Sequence, residues 1–400
     1  MSRSSYMVMV LLLGTLTAMP AMSIDTFLPA MPAVARDLAV ESGTVQLTLA
    51  AYVFGAAFGQ LLLAPLSDRV GRRPALFAGL ALYLAAGIGC YFANSVEMLG
   101  FLRFIQGSAT FSGRILPRAM ARDMFDREDA ARMISYMMVF GGLAPVLAPL
   151  AGAYVFVTFG WRAVFALIAL YGATIFVLTL LFLKETLPVE RRIHINPISM
   201  VANFAVLLRN RPFLSYGACV FLSMGALMAF LTSTSSIAIQ FLGKSPYEFA
   251  LASSGVMFGY MVCSFIGGRI VVRLGLERLI GLGCIIGAIS GIFMLVLALM
   301  GINTLWAIML PMLGVMISLA FVVPAATAGA LSPFGHMAGS AMANFGFLQT
   351  CFSAIVASIV GLLFDGTQMP MVIFISVLCT GLVFAYVFLV RPLGKIEPDS

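Results

Sequence analysis

The chain has 400 residues, of which 62% are apolar and only 10% are charged, and its formal net charge is +7. A soluble protein needs about 25% charged residues to cover its surface, so this composition excludes an ordinary soluble domain and indicates an integral membrane protein. The six cysteines lie inside apolar stretches without paired spacing, and we therefore expect no disulfide, no metal site and no cofactor.

Apolar stretches of about 20 residues, the length that crosses a bilayer as a helix, can be placed along the whole chain. Breakers such as Gly160 and Pro333 separate them. The sequence therefore predicts an all-α integral membrane protein with twelve transmembrane helices, near residues 6–30, 44–66, 75–94, 97–120, 133–158, 163–183, 213–235, 247–268, 278–299, 304–328, 337–363 and 370–390.

The basic residues predict the orientation of these spans. If the N-terminus is cytoplasmic, most of the 23 lysines and arginines fall in loops on the cytoplasmic side. The positive-inside rule then predicts a multi-pass protein with both termini in the cytoplasm. The same distribution accounts for the positive net charge without nucleic-acid binding. A cleaved signal peptide over residues 3–23 is an alternative, which the direct continuation of this stretch into Asp25 disfavours.

A basic, proline-containing loop divides the chain into two sets of six spans. We predict an N-terminal six-helix bundle over residues 1–183, a cytoplasmic linker over 184–212 and a C-terminal six-helix bundle over 213–400. The triplet Arg69-Val70-Gly71 recurs in weakened form as Arg273-Leu274-Gly275. Two pseudo-repeated six-helix bundles with parallel repeats are typical of transporters.

One acidic residue lies deep inside a predicted span. Of the 16 acidic residues, only Asp25 is well within an apolar stretch. Ionisable groups in the membrane are costly and tend to mark ion or substrate pathways, so Asp25 is the candidate proton carrier. The alternative is that Asp25 reaches the membrane interface, or holds a fixed hydrogen bond near Pro20 and Pro29.

Arg103 and Arg114 lie within the fourth predicted span, whereas Arg118 falls at its cytoplasmic end. At a rise of about 1.5 Å per residue, Arg103 matches the depth of Asp25, so it could take part in proton coupling. The alternative is that Arg103 donates to carbonyl groups of the first span and is held by Gln106. Arg114 lies three turns further along the same face of a continuous helix. It could bind an anionic or carbonyl-rich substrate, or it could snorkel towards the cytoplasm.

Neutral polar residues and prolines supply further candidates. Polar side chains in otherwise apolar spans could line a substrate cavity or pack within the bundle; they are Tyr52, Gln106, Asn344 and Gln349. Pro145 and Pro149 are spaced i, i+4 in the fifth span, close to Gly152. Prolines bend helices and small residues permit close packing, so these three residues are a candidate gate or hinge.

Several motifs resemble one known superfamily. Residues Gln60 to Pro74 resemble the signature loop between spans two and three of the major facilitator superfamily. The motifs Arg103-Phe104-Ile105-Gln106-Gly107 and Gly141 to Gly152 are similar to its span-four motif and to the span-five motif of drug/proton antiporters. More narrowly, four segments together resemble the Bcr/CflA group of drug exporters: Ser23–Pro32, Gly160–Phe165, Glu185–Pro188 and Ser332–Ser340.

The resemblance implies a function. It implies proton-coupled efflux of small amphipathic drugs, of the amphenicol or bicyclomycin type, by alternating access in the bacterial inner membrane. The carrier would be a monomer within the lipid bilayer, driven by the proton gradient. The alternative is a proton-coupled carrier of a small metabolite or organic anion. An enzyme is disfavoured, because no His-Glu-x-x-His motif or paired nucleophile and base is found.

The resemblance also assigns the charged loop between spans two and three. Its arginines can fix topology and reach lipid phosphates, whereas Asp68 has no such role. In the superfamily this acid faces the N-terminus of span eleven, here His336 to Gly339, when the cytoplasmic side is shut. The conformational latch would consist of Asp68, Arg69, Gly71 and Arg72.

Overall fold

A computed structural model describes residues 3–192 and 204–393, and the regular elements in these ranges are all helical. The predicted all-α membrane fold is therefore confirmed. The chain forms two compact units, Met1–Asn196 and Pro197–Ser400. The boundary between them falls inside the predicted linker 184–212, of which residues 193–203 lie outside the described residues.

The first unit is built from helices that proline and glycine separate. Gly71, with φ +108°, ends one helix and begins the next, and Gly160, with φ +85°, does the same later in the unit. The helices of this unit are α1 (Arg3–Asp25), α2 (Met31–Asp37), α3 (Ser42–Phe58), α4 (Ala64–Val70), α5 (Arg72–Tyr91), α6 (Val96–Ala109), α7 (Phe111–Arg114), α8 (Leu116–Met124), α9 (Arg127–Phe159) and α10 (Trp161–Phe182).

The second unit contains long apolar helices. In a bilayer each backbone N–H and C=O must be satisfied inside the protein, and a helix achieves this along its whole length. The long helices of this unit are α11 (Arg211–Ser236), α12 (Pro246–Leu274), α13 (Leu276–Leu299), α14 (Leu305–Leu331), α15 (Ala338–Leu362) and α16 (Met369–Ala385). Short π-helical turns extend α11 over Ile237–Phe241 and α16 over Tyr386–Val390.

The fourth span differs from its prediction. Within the described residues, 11 helical segments are long and apolar enough to cross a membrane, and none of them covers the predicted span 97–120. That path is broken into α6, α7 and α8. The backbone N–H and the hydroxyl of Thr110 both donate to Gly107 O, at 3.0 and 2.5 Å, which tightens the turn. Pro117 lacks the N–H that would continue the helix. The prediction of one continuous helix here is therefore wrong.

Spans two and four are in backbone contact. A Cβ atom on Gly107 of α6 would lie 1.9 Å from the Tyr52 carbonyl oxygen of α3. A Cβ atom on Gly55 of α3 would lie 2.0 Å from the Phe104 carbonyl oxygen of α6. Glycine is required at both positions because any side chain would push the helices apart. This contact places the side chains of Tyr52 and Arg103 beside each other.

Candidate functional site

The first span ends at its acidic residue, and the end is capped by an arginine. α1 ends at Asp25, where Phe27 N donates to Ile24 O at 3.1 Å rather than to Ser23 O. The carbonyl of Ser23 therefore needs another donor, as the last carbonyl groups of every helix do. Arg103 Nη1 supplies it at 3.0 Å. Arg103 thus donates to a carbonyl of the first span, which was the alternative to a role in proton coupling.

The Arg103 guanidinium is enclosed by aromatic rings and one amide. Its side chain is fully buried, and Nη1 also donates to Gln106 Oε1 at 2.7 Å. The guanidinium carbon lies 4.4 Å from the ring centroid of Tyr52, 5.0 Å from that of Phe27 and 5.9 Å from that of Phe165. Ring faces attract cations and partly replace water. Within the described residues, Nε and Nη2 have no hydrogen-bond acceptor, so Arg103 retains two donor atoms with three N–H groups.

Asp25 is buried, and the part of the chain that the structure describes gives it no polar partner. Its side chain is 5% exposed, and among the residues that the structure describes it makes no hydrogen bond and no ion pair. It therefore does not form an ion pair with Arg103 in this conformation. A charged carboxylate is costly here, because the residue is buried and because the last turn of a helix carries partial negative charge. The role of Asp25 as a proton carrier stays a prediction.

Two tyrosines that sequence reasoning missed hold the first span. The hydroxyl of Tyr83 in α5 lies 2.5 Å from Ser23 Oγ, and the hydroxyl of Tyr171 in α10 donates to Thr15 O at 2.5 Å. A tyrosine hydroxyl inside an apolar span needs a partner, and this requirement was the available signal. These bonds fix α1 on both sides of Pro20, and so they fix the position of Asp25.

The turn after Asp25 packs against the fifth span. A Cβ atom on Gly152 would lie 2.1 Å from Thr26 O, so α9 touches the backbone next to Asp25. Pro145 and Pro149 lie inside α9, which is helical from Arg127 to Phe159. Gly152 therefore sets the distance between α9 and the site, while the gating role of these three residues stays a prediction.

The predicted substrate residues lie in different places. Tyr52 and Gln106 are buried against Arg103. Arg114, at the end of α7, is half-buried with Arg118 and Tyr52 in its electrostatic surroundings. Because the helix is interrupted at Thr110 and Ile115, the prediction that Arg103 and Arg114 share one face of a continuous helix is wrong. The other two predicted substrate residues, Asn344 and Gln349, lie on α15 of the second unit. Substrate binding by these side chains stays a prediction.

The charged loop of the first unit contains an ion-pair network. Arg72 Nη1 lies 2.5 Å from Asp68 Oδ1 and 2.7 Å from Ser67 Oγ, while Arg72 Nε lies 3.1 Å from Asp123 Oδ2. Arg69 is exposed. Asp68 therefore has a partner inside its own unit, and its role in a latch stays a prediction.

Glu185, to which the sequence analysis gave no role beyond a resemblance motif, caps α5. Its Oε1 accepts from Arg72 N at 3.0 Å, its Oε2 accepts from Arg73 N at 3.3 Å, and Oε2 lies 3.9 Å from Arg192 Nη2. The first N–H groups of a helix lack partners, so an acidic side chain there is stabilising. Glu185 thereby ties the start of the predicted linker to the charged loop.

We expect Glu185→Ala to lower the stability of the purified protein by about 1 kcal/mol, the usual effect of losing a helix cap. The melting temperature in detergent measures this effect. Glu190→Ala is the matched control, because Glu190 is exposed in the same segment. An equal melting temperature for the two variants would contradict a capping role for Glu185.

The fold and this site are those of a polytopic membrane transporter. The chain has two units of helices that can cross a membrane, and the first unit buries an acid and an arginine. The model of the Major Facilitator Superfamily matches residues 11–358. The chain belongs to the Major Facilitator Superfamily, whose members are transporters and not enzymes, and the resemblance noted from the motifs is confirmed.

Drug-resistance proteins are among the relatives. The chain is 30% identical over 394 residues to the bicyclomycin resistance protein homolog of Haemophilus influenzae, with 97% of each chain covered. It is 29% identical over 389 residues to the chloramphenicol resistance protein of Pseudomonas aeruginosa, covering 94% of this chain and 90% of the relative. The crystal structure of a mutant of the nucleoside transporter NupG has a TM-score of 0.78 at 12% identity, covering 96% of this chain and 100% of that one, which shows a shared fold.

Proposed function

We propose that this protein exports small amphipathic drugs in exchange for protons, by alternating access, as a monomer in the bacterial inner membrane with both termini in the cytoplasm. One observation carries the proposal. Among the residues that the structure describes, the charged side chains that are buried are Asp25 and Arg103. Asp25 ends α1, and Arg103 of α6 donates to the carbonyl of Ser23 in the last turn of α1. The drug-resistance relatives support drugs of the bicyclomycin and chloramphenicol type as substrates.

The geometry suggests how a proton would be carried. A neutral Asp25 is compatible with its buried surroundings, whereas the carboxylate needs a donor or a cation. Arg103 retains three N–H groups, one on Nε and two on Nη2, in the same region. In the proposed cycle, Asp25 releases its proton when a small rearrangement brings the carboxylate to these donors. Asp25 takes up a new proton when that contact is broken, which couples the charge state to the conformation of α1.

A second candidate is a proton-coupled carrier of a small metabolite or organic anion. Arg114 is the observation that favours it, because this half-buried cation lies in the region of Tyr52 and Arg103. An anionic substrate could bind between these groups, since arginine recognises carboxylate and phosphate groups well.

Transport in proteoliposomes tests the proposal. Purified protein is reconstituted, an acidic lumen is imposed, and the accumulation of radiolabelled chloramphenicol is measured together with the lumenal pH. We expect drug to accumulate while protons leave, and an ionophore that collapses the gradient to stop the accumulation. Liposomes without protein are the control. Drug uptake that does not depend on the proton gradient would contradict antiport. Uptake of organic anions alone would favour the second candidate.

A further inference from the structure

The second unit contains a cleft between two helices that run in the same direction, α12 and α14. The helices touch at Gly259, where a Cβ atom would lie 2.2 Å from Leu313 Cδ1. One turn nearer the start of α12, a Cβ atom on Gly255 would meet nothing within 4 Å. The helices therefore separate towards their N-terminal ends. The cleft has a volume of about 580 Å³, which is within the range of small-ligand sites.

The walls of this cleft are apolar and open to the surroundings. Leu251 is 67% exposed, Trp306 is 62% exposed and Leu310 is 60% exposed. Such large apolar side chains on a membrane-spanning unit contact lipid chains in preference to water. Trp306 is the second residue of α14, and tryptophan is typical of the membrane–water interface. We therefore expect the cleft to begin at headgroup depth and to continue into the hydrocarbon region.

The rim of the cleft carries one charge of each sign. Lys244 Nζ lies 3.5 Å from Glu248 Oε1, and the two side chains are 40% and 52% exposed. Glu248 Oε2 also accepts from Ser245 N at 2.8 Å in the cap of α12, which fixes the position of this carboxylate. A positive and a negative group therefore lie next to each other at the rim of an apolar cleft, at the end where we expect lipid headgroups.

We propose that this cleft binds a phospholipid with a zwitterionic, ammonium-bearing headgroup. One acyl chain occupies the space beside Gly255, the phosphate pairs with Lys244, and the ammonium group pairs with Glu248. Charge complementarity favours this class of lipid. An anionic phospholipid would satisfy Lys244 but would leave Glu248 beside a phosphate without a compensating cation.

Tryptophan fluorescence can report the occupant. The chain has two tryptophans, and Trp161, unlike Trp306, is buried. The full chain in detergent is titrated with a few equivalents of phosphatidylethanolamine carrying brominated acyl chains, which quench nearby tryptophan. Phosphatidylglycerol with the same chains is titrated in parallel, and Trp306→Phe gives the background. We expect saturable quenching of Trp306 and binding about threefold tighter for phosphatidylethanolamine, the scale of one exposed ion pair.

Three variants make the test specific. Gly255→Leu fills the cleft and should abolish saturable quenching. Gly268→Leu is the matched control, because Gly268 is also exposed on α12 with open space around it, and this variant should keep saturable quenching. Glu248→Gln should remove the headgroup preference and keep the helix cap, since glutamine can serve in that cap. Quenching that survives in Gly255→Leu, equal affinity for the two lipids, or tighter binding of phosphatidylglycerol would overturn the proposal.

Discussion

Replacing Asp25 with asparagine is expected to reduce drug accumulation driven by a proton gradient by at least about tenfold. Asparagine has nearly the same shape as aspartic acid, but it cannot release or take up a proton. The buried end of α1 should therefore keep its structure while losing its proposed carrier. Accumulation of chloramphenicol in proteoliposomes with an acidic lumen measures the effect.

Drug-for-drug exchange without a gradient separates coupling from binding. We expect Asp25→Asn to retain this exchange, because it requires the substrate site and conformational change but no net proton movement. Glu41→Gln is the matched control, since Glu41 is an exposed acid at the start of the second span. Gradient-driven accumulation at the wild-type level in Asp25→Asn would remove Asp25 from the mechanism.

Gly107→Ala is expected to destabilise the protein strongly. The added methyl group would lie 1.9 Å from the Tyr52 carbonyl oxygen and 2.8 Å from its carbonyl carbon. These backbone atoms can move only if α3 and α6 separate, which costs about 1–3 kcal/mol or more. We expect the melting temperature in detergent to fall by roughly 2 °C or more. Separation would also disturb the contact between Tyr52 and Arg103.

A second glycine of the same helix is the control. A Cβ atom on Gly100 would meet only Thr48 Cγ2, at 4.0 Å, so Gly100→Ala should leave the melting temperature nearly unchanged. Gly55→Ala should repeat the loss from the opposite side of the contact, because its methyl group would meet Phe104 O at 2.0 Å. Equal stability of Gly107→Ala and Gly100→Ala would show that the two spans do not touch as described.

The broken fourth span shows where prediction from apolar length fails. The stretch 97–120 is long and apolar enough to be predicted as one helix, with Arg103 and Arg114 as the charged residues in its interior. Thr110 and Pro117 interrupt it by local hydrogen bonding and by a missing N–H. A proline in a membrane helix can bend it or end it, and the choice depends on the helices packed around it.

Arg103 illustrates the same limit at the site. Sequence alone indicated that Arg103 lies at the same depth as Asp25. Both residues are buried in the structure, as expected for ionisable residues inside a membrane span. Sequence could not choose between an ion pair with Asp25 and a hydrogen bond to a backbone carbonyl. The choice depends on where α1 ends, because only the last turn of a helix has a free carbonyl to offer. Tyr83, Tyr171 and Glu185 were missed for a similar reason, since their partners are distant in sequence.

The amino-acid sequence by itself determined the membrane class, nearly all of the spans, the family and the few ionisable residues that lie inside the bilayer. These properties follow from apolar length, charge distribution and local motifs, which do not depend on how helices pack. The tertiary structure decided the break in the fourth span, the capping of Ser23 O by Arg103 and the separation of Asp25 from Arg103, which form no ion pair with each other. Each depends on which helix backbones come into contact, and glycines such as Gly107 permit that contact only in the folded unit.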